Sequence, residues 1–371
     1  MQISSAKTFG GGERHLIDLC RGLISRGHEV FIVVRPSCEW QEKLDFLPKE
    51  NILHASIRNS FGIFSAKKIA NFANKNKIDI IHAHVGRDYI PASISCRISK
   101  ETKFVLTRHV LFGMKPFQKF ALSNAKKAIA VSSAVGESLR NIFPKKKITV
   151  IPNGITVNDE TRQKLEKLRE EFRFLHNIPF DAQLVGTMGE LKELKGQRDF
   201  ILAANEIAKK LPETRFVVVG KDHSVNQTFR RELKRMVKVF SLDENFLFLD
   251  WIEETPSFFA ALDIYVSPSH SESFGLAILE AMTTGKAVVS TETEGAKELL
   301  QASESGKLVK IKEPLELSEK VLELLNDETL RKNLGETAQK TALEKFSLEN
   351  MIEQTEKVYA EICEAKKEAT A

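Results

Sequence analysis

Glu272 and Glu280, with seven residues between them, bracket the middle of the segment SESFGLAILEAMTTG that runs from Ser271 to Gly285. Glu272 follows the apolar run Asp263–Pro268, and Glu280 falls in a helix predicted to begin near Phe274 or Gly275. At a rise of ~1.5 Å per residue the helical part alone sets the two carboxylates roughly 10 Å or more apart, turned by only ~80° about the axis. Between them lie the backbone N–H groups of Ser273, Phe274, Gly275 and Leu276, the orphan donors of a helix start, and Gly275 admits a ligand at close range. Such a terminus attracts phosphate, while carboxylates accept hydrogen bonds from sugar hydroxyls. A diphosphate flanked by a sugar and a ribose fits the spacing. The plainer reading is a solvated Glu280 and a Glu272 that complements the helix dipole. The setting of strand, PSHSESFG loop, helix and Gly285 favours the first.

Two further loops carry groups suited to the same ligand. Phe9-Gly10-Gly11-Gly12-Glu13 joins a strand remnant to a helix expected from about Glu13, and adjacent glycines let backbone press against phosphate or sugar. A tight turn with no ligand would also select glycine. The pattern is not G-x-G-x-x-G, and Arg35 stands where a ribose-binding acid would follow Val34, which disfavours a dinucleotide oxidoreductase. In Gly189-Glu190-Leu191-Lys192-Glu193-Leu194-Lys195-Gly196, Lys195 sits at a strand-to-helix loop, where it would neutralise a departing diphosphate. The same residue reads equally as a surface lysine.

His82, His84 and His109 end strands. Alternation puts His82 and His84 on one face, yet no acidic or thiol ligand stands near them in sequence, so hydrogen bonding to substrate suits His84 and His109 better, with His82 structural. No Ser-His-Asp elbow, P-loop or cysteine nucleophile pattern is present, nor an Asp-x-Asp cluster, so no metal or other cofactor is expected. Charge stabilisation of a leaving diphosphate remains the main catalytic resource.

The elements that must position these groups follow from apolar periodicity. Strands are expected at Val30–Val34, Ile78–His82, Phe104–Thr107, Ala128–Val131 and Ile148–Ile151, with Met1–Ser4 as the tail of a clipped first strand. A second set covers Gln183–Met188, Arg215–Val219, Phe246–Leu249, Asp263–Val266, Ala287–Ser290 and Leu308–Ile311. Alternation with amphipathic helices makes this an α/β chain with two doubly wound parallel sheets. The 371 residues are too many for one ordinary core. The boundary is placed after the turn-rich Ile151-Pro152-Asn153-Gly154, giving domains 1–157 and 158–346, with the amphipathic tail 347–367 as a further helix.

With 42% hydrophobic and 28% charged residues the composition is that of a globular protein, and no run reaches the ~20 apolar residues of a bilayer span. Cys20, Cys38, Cys96 and Cys363 have no metal-ligand or disulfide spacing, in keeping with a reduced, cytoplasmic setting. Residues 1–150 hold 25 Lys and Arg against 11 Asp and Glu, and the remainder 30 against 39. The basic first half suits an anionic membrane surface or a phosphate-bearing acceptor, and it lacks the aromatic-interleaved platform of nucleic-acid binding.

The segments GGGERHLIDLCRGLISRGHEV, IDIIHAHVGRDY, VLTRHV, AIAVSSAV, VIPNGI, GELKELKG, VVVGK, DIYVSPSHSESFGLAILEAMTTGKAVVST and EGAKELL occur in one order over nearly the whole chain. In this the chain resembles the retaining glycosyltransferases of family 4, which have the GT-B fold. The resemblance implies two Rossmann-like domains facing a cleft, a nucleoside diphosphate sugar (UDP- or GDP-linked) held mainly by the C-terminal one, and a last helix crossing back to the N-terminal, acceptor-binding one. It implies that Glu280 binds ribose, Glu272 the transferred sugar, and the amides of Phe274, Gly275 and Leu276 phosphate or sugar. Lys195 would hold the diphosphate, with Gly11 and Gly12 against it, and His109 the sugar; Glu13 and His84 are candidates for acceptor binding. It also implies a hexosyltransferase acting on a glycan or lipid-linked acceptor in cell-envelope polysaccharide or lipopolysaccharide synthesis, peripheral to the inner face of the membrane. Where the family often has Arg after the first loop glycine, this chain has Glu190, for which either Arg198 compensates or donor affinity is lower. Asp250 is a second departure from a common glycine. The rival readings are a nucleotide-sugar epimerase on the same fold, of the UDP-N-acetylglucosamine 2-epimerase kind, and an inactive nucleotide-sugar-binding module.

Overall fold

The computed structural model describes residues 1–57, 62–156, 164–252, 254–300 and 305–364. Its backbone divides into two compact units: Met1–Gly154 with the C-terminal stretch from Leu348, and Ile155–Ser347. The expected boundary at 157/158 lies outside the described residues, as do residues 365–367 of the expected tail helix.

The first unit contains strands β1 (Gln2–Ser4), β2 (Ile32–Val34), β3 (Ile52–His54), β4 (Ile80–Ala83), β5 (Lys103–Arg108), β6 (Ala125–Ala130) and β7 (Ile148–Val150). They pair in the order β3-β2-β1-β4-β5-β6-β7, every pair parallel. β3 escaped the sequence reading because its three residues are only half-buried at the sheet edge and follow a 3-10 turn, leaving no apolar run. Leu16, Leu19, Cys20 and Leu23 on one face of helix Gly11–Ser25 share a core cluster with Met351, Ile352, Val358 and Ile362 of helix Leu348–Glu364. Those positions recur at helical spacing, so each helix buries a single stripe.

The second unit contains β8 (Leu184–Met188), β9 (Arg215–Val219), β10 (Phe246–Leu249), β11 (Ile264–Ser267), β12 (Ala287–Thr291) and β13 (Lys307–Val309), ordered β10-β9-β8-β11-β12-β13 and again all parallel. β8, β11 and β12 are buried throughout, as expected of parallel strands covered on both faces. The central pair is clamped at its entry. Asp263 accepts hydrogen bonds from the Leu184 N–H (2.7 Å) and from Arg173 (3.0 Å), and the fully buried Arg173 also donates to the carbonyls of Ala261, Pro179, Phe180 and Ala182. Arg173 lies on helix Leu165–Leu175, within the charged segment Asp159–His176; residues 157–163 are outside the described residues.

In each sheet the winding reverses between the two central strands, β1 and β4 in one and β8 and β11 in the other. The carboxyl ends of those strands form the crevice in which doubly wound sheets bind ligands. No described helix is long and apolar enough to cross a membrane.

Candidate functional site

The residues singled out from sequence fall at these two switch points. In the second unit β8 leads through Gly189–Lys192 into a 3-10 turn, Glu193–Lys195, and then to helix Gln197–Lys210. Gly196 makes the junction in the left-handed region (φ +67°), where a Cβ would lie 1.9 Å from the Pro268 carbonyl oxygen. Only glycine allows this approach of the turn to the end of β11. It brings Lys195 to Glu272: Nζ and Oε2 are 2.5 Å apart, with the side chains 25% and 19% exposed. The His270 N–H donates to the Leu194 carbonyl at 2.9 Å, and its ring pairs with Asp199 at 2.7 Å, so the same two loops are stitched a second time.

After Glu272 and Ser273, Phe274 is buried and meets Phe346 edge-on at 5.9 Å. Gly275, at φ +98°, is the left-handed cap of helix Leu276–Thr283, matching the predicted start. The first-turn N–H groups of that helix have no carbonyl of their own helix to bond. Glu280, 7% exposed, accepts a hydrogen bond from the Thr255 hydroxyl at 2.6 Å. Beneath both glutamates lies Tyr265; burial raises its phenol pKa, reinforced by the charges of Glu272 and Glu280, and its hydroxyl donates to the Met188 carbonyl at 3.3 Å. Thr255 and His270 were not found from sequence, since their roles depend on packing between distant loops.

The two departures have structural answers. Glu190 is solvent-facing and pairs with Lys192 at 2.5 Å. Arg198 is itself paired in this structure: Glu232 holds its guanidinium in a fork of 2.6 and 2.9 Å over the Phe229 ring. Asp250 accepts from Arg230 at 2.6 Å, and the same nitrogen donates to the Gly220 carbonyl at 2.5 Å. Through Arg230, Asp250 is thus tied to the Gly220 carbonyl, joining the carboxyl ends of β10 and β9. A cavity of about 420 Å³ lies beside them, lined by Glu190, Leu191, Lys192, His223, Thr228 and Phe229 among others.

At the switch point of the first unit, helix Gly11–Ser25 starts two residues earlier than expected, so Gly11 and Gly12 belong to its first turn. A Cβ at Gly12 would lie 4.0 Å from His109 Cγ, which places the glycine motif beside that ring. Glu13 accepts from the Ser4 hydroxyl at 3.3 Å, and burial raises its carboxyl to about 7. Asp88, also buried, is raised to about 6 by desolvation while accepting from the Ser5 N–H at 2.8 Å.

His82 and His84 lie side by side, as strand alternation suggested, with ring centroids 4.2 Å apart. Both nitrogens of His82 are engaged, by Thr107 at 2.7 Å and the Tyr359 hydroxyl at 2.5 Å, which fixes it as structural. His84 and His109 instead join His15, one ligand atom of each lying within 4.8 Å of the others. Burial lowers His15 to about 4 and puts His84 and His109 well below their usual range, with neighbouring imidazoles adding to the effect for His84 and His109. His15 was missed. Its signal was present: it stands one helical turn after Gly11 and so shares that face.

Residues 168–341 match the family described as glycosyl transferases group 1, and residues 9–159 match Glycosyltransferase Family 4. The chain is 24% identical over 382 residues to the N-acetyl-alpha-D-glucosaminyl L-malate synthase of Bacillus anthracis, covering 97% of this chain and 96% of that protein. It is 25% identical over 340 residues to the lipopolysaccharide core biosynthesis glycosyltransferase LpsE of Rhizobium meliloti, covering 92% and 93%. The crystal structure of Anabaena HepE in complex with UDP shares the fold, with a TM-score of 0.84 at 21% identity over 97% of this chain and 99% of that one. Matches to both halves, relatives aligned end to end and two sheets wound alike lead to one conclusion: this chain belongs to the family 4 glycosyltransferases and has their GT-B fold.

Proposed function

We propose that this glycosyltransferase moves a sugar from a nucleoside diphosphate sugar, UDP- or GDP-linked, to a hydroxyl of a glycan or lipid-linked acceptor, retaining the anomeric configuration. The observation that carries the reading is the Lys195–Glu272 pair at the β8/β11 switch point, with the Glu280 carboxyl held by Thr255 farther along the same helix. A diphosphate entering there takes Lys195 as its counter-ion and leaves Glu272 to accept hydrogen bonds from the sugar hydroxyls. Glu280, already oriented, receives the ribose. The amides from Ser273 to Leu276 add neutral donors at a helix terminus, where developing negative charge is stabilised without reorganisation.

The bond from the anomeric carbon to the phosphate oxygen lengthens first and gives the sugar oxocarbenium character. Lys195 and the helix amides stabilise the electron pair left on the diphosphate. The acceptor hydroxyl then attacks from the same side, and its proton passes to that phosphate oxygen. Of the first unit's residues, Gly11 and Gly12 are assigned to the diphosphate, His109 to the sugar, and Glu13 and His84 to the acceptor. LpsE, a lipopolysaccharide core enzyme by name, and HepE, crystallised with UDP, support the cell-envelope setting and the donor class.

The test is a thermal-shift panel of UDP-, GDP- and ADP-sugars followed by transfer assays of Glu272→Ala and Glu280→Ala. One donor class should raise the melting temperature of the wild type, and each variant should lose about 100-fold or more in kcat/KM. Unchanged transfer in both variants would remove the assigned site.

A further inference from the structure

We propose that His15, His84 and His109 form a binding site for a divalent first-row transition metal, with Zn²⁺ the ion that their chemistry suits best. The three imidazoles come from three separate elements, the first turns of helix Gly11–Ser25 and the carboxyl ends of β4 and β5, and one ligand atom of each lies within 4.8 Å of the other two. Zinc–nitrogen bonds of ~2.0–2.1 Å in a tetrahedral site put ligand nitrogens ~3.3 Å apart. His84 Nδ1 and His109 Nε2 are already 3.5 Å apart. Closing the site needs an approach of the order of 1 Å by His15, within the reach of a side-chain rotation.

Two further observations point to a ligand. His84 Nε2 lies 2.9 Å from Gln2 Oε1, an acceptor only, so that nitrogen carries the proton and Nδ1 presents its lone pair toward His109. Gln2 is itself fixed by its hydrogen bond to the Tyr359 hydroxyl at 3.2 Å. A ligating histidine oriented through its other nitrogen by a carbonyl oxygen is the usual outer support of a zinc site. His15, only 6% exposed, has a buried Nδ1 with no well-formed hydrogen bond, Asn153 being the polar side chain that interacts with the ring. Three neutral nitrogen donors suit Zn²⁺, Cu²⁺ or Ni²⁺ and leave a fourth position open toward the partly exposed His109. His109 would shift its proton to Nδ1 as Nε2 takes the metal, so binding releases no proton from that ring.

Binding of the metal does not depend on the donor reading above. Its effect on turnover does: occupied by metal, His109 is withdrawn from the sugar, and Zn²⁺ would inhibit transfer reversibly. The decisive experiment titrates chelator-treated full-length protein with Zn²⁺ by calorimetry and with Co²⁺ by visible absorption, with no nucleotide present. One ion per chain and the intense d–d bands of four-coordinate Co²⁺ are expected. His15→Gln and His109→Gln should each weaken binding by at least ~10-fold, and His223→Gln, in the other unit, should not. Circular dichroism melts identify variants that remain folded; should His15→Gln fail to fold, His109→Gln, at the exposed edge, decides alone. Stoichiometric binding that persists in the folded His109 variant, a six-coordinate Co²⁺ spectrum, or no binding at micromolar metal would overturn the site. Transfer assays run in chelator test the donor reading separately.

Discussion

The two switch points occupy equivalent places in sheets of the same winding, yet they handle ionisable groups in opposite ways. At β1/β4 the groups are desolvated and held neutral or partly so: Glu13 and Asp88 are raised by burial, and the imidazoles of His15, His84 and His109 are lowered by it. At β8/β11 the ionisable groups are instead matched in pairs, Lys195 with Glu272 and His270 with Asp199. A strand order therefore dictates where a ligand binds, while the local supply of counter-ions dictates what kind. Paired charges can exchange partners with an ionic ligand; a desolvated neutral cluster offers hydrogen bonds or lone pairs instead.

The largest expected difference between the two regions is steric. Gly196→Ala puts a methyl 1.9 Å from a backbone oxygen at a positive φ, and should cost about 2–4 kcal/mol in urea unfolding. Gly12→Ala, whose nearest neighbour is His109 at 4.0 Å, should stay within ~0.5 kcal/mol of the wild type. Equal losses in the two would erase the contrast.

Next comes pH. Asp88 has a folded pKa of about 6 against an ordinary 3.8, so the folded protein binds more protons than the unfolded chain between those values, and stability falls as pH rises through the window. The loss, roughly 2–3 kcal/mol, is complete above about pH 6. Asp88→Asn should abolish it, so that the unfolding free energy of the variant gains on the wild type between pH 4 and 7. A difference independent of pH would mean that Asp88 is not desolvated in the way described.

The smallest effect sharpens the charged side of the comparison. Glu190→Arg changes an exposed residue and should leave stability within ~0.5 kcal/mol, while donor affinity rises about two- to fivefold by calorimetry. A fall in affinity would show that the carboxylate itself serves the donor.

Most of both sheets was legible because parallel strands buried on two faces must be continuous apolar runs; Arg215–Val219 was placed to the residue. β3 was not, because a half-buried edge strand of three residues makes no such demand. Gly275 could be read as a helix start, since its left-handed cap is local chemistry. What sequence could not supply were pairings across long separations: Thr255 on Glu280 and Glu232 on Arg198. Arg198, one turn from Lys195, shows the limit well, because its partner in the structure is a carboxylate on another helix.

The first unit also has an order of manufacture built into it. Tyr359, whose hydroxyl links Gln2 and His82 beneath the histidine cluster, is made after about 190 residues of the second unit have intervened. At elongation speeds of ~5–20 residues per second that gap amounts to roughly ten to forty seconds. Throughout it the N-terminal sheet waits on the ribosome with an apolar flank uncovered. Each nascent chain thus acquires its second unit before its first can be completed, and a stop codon shortly before Leu348 would spare the second unit while leaving the first unfinished.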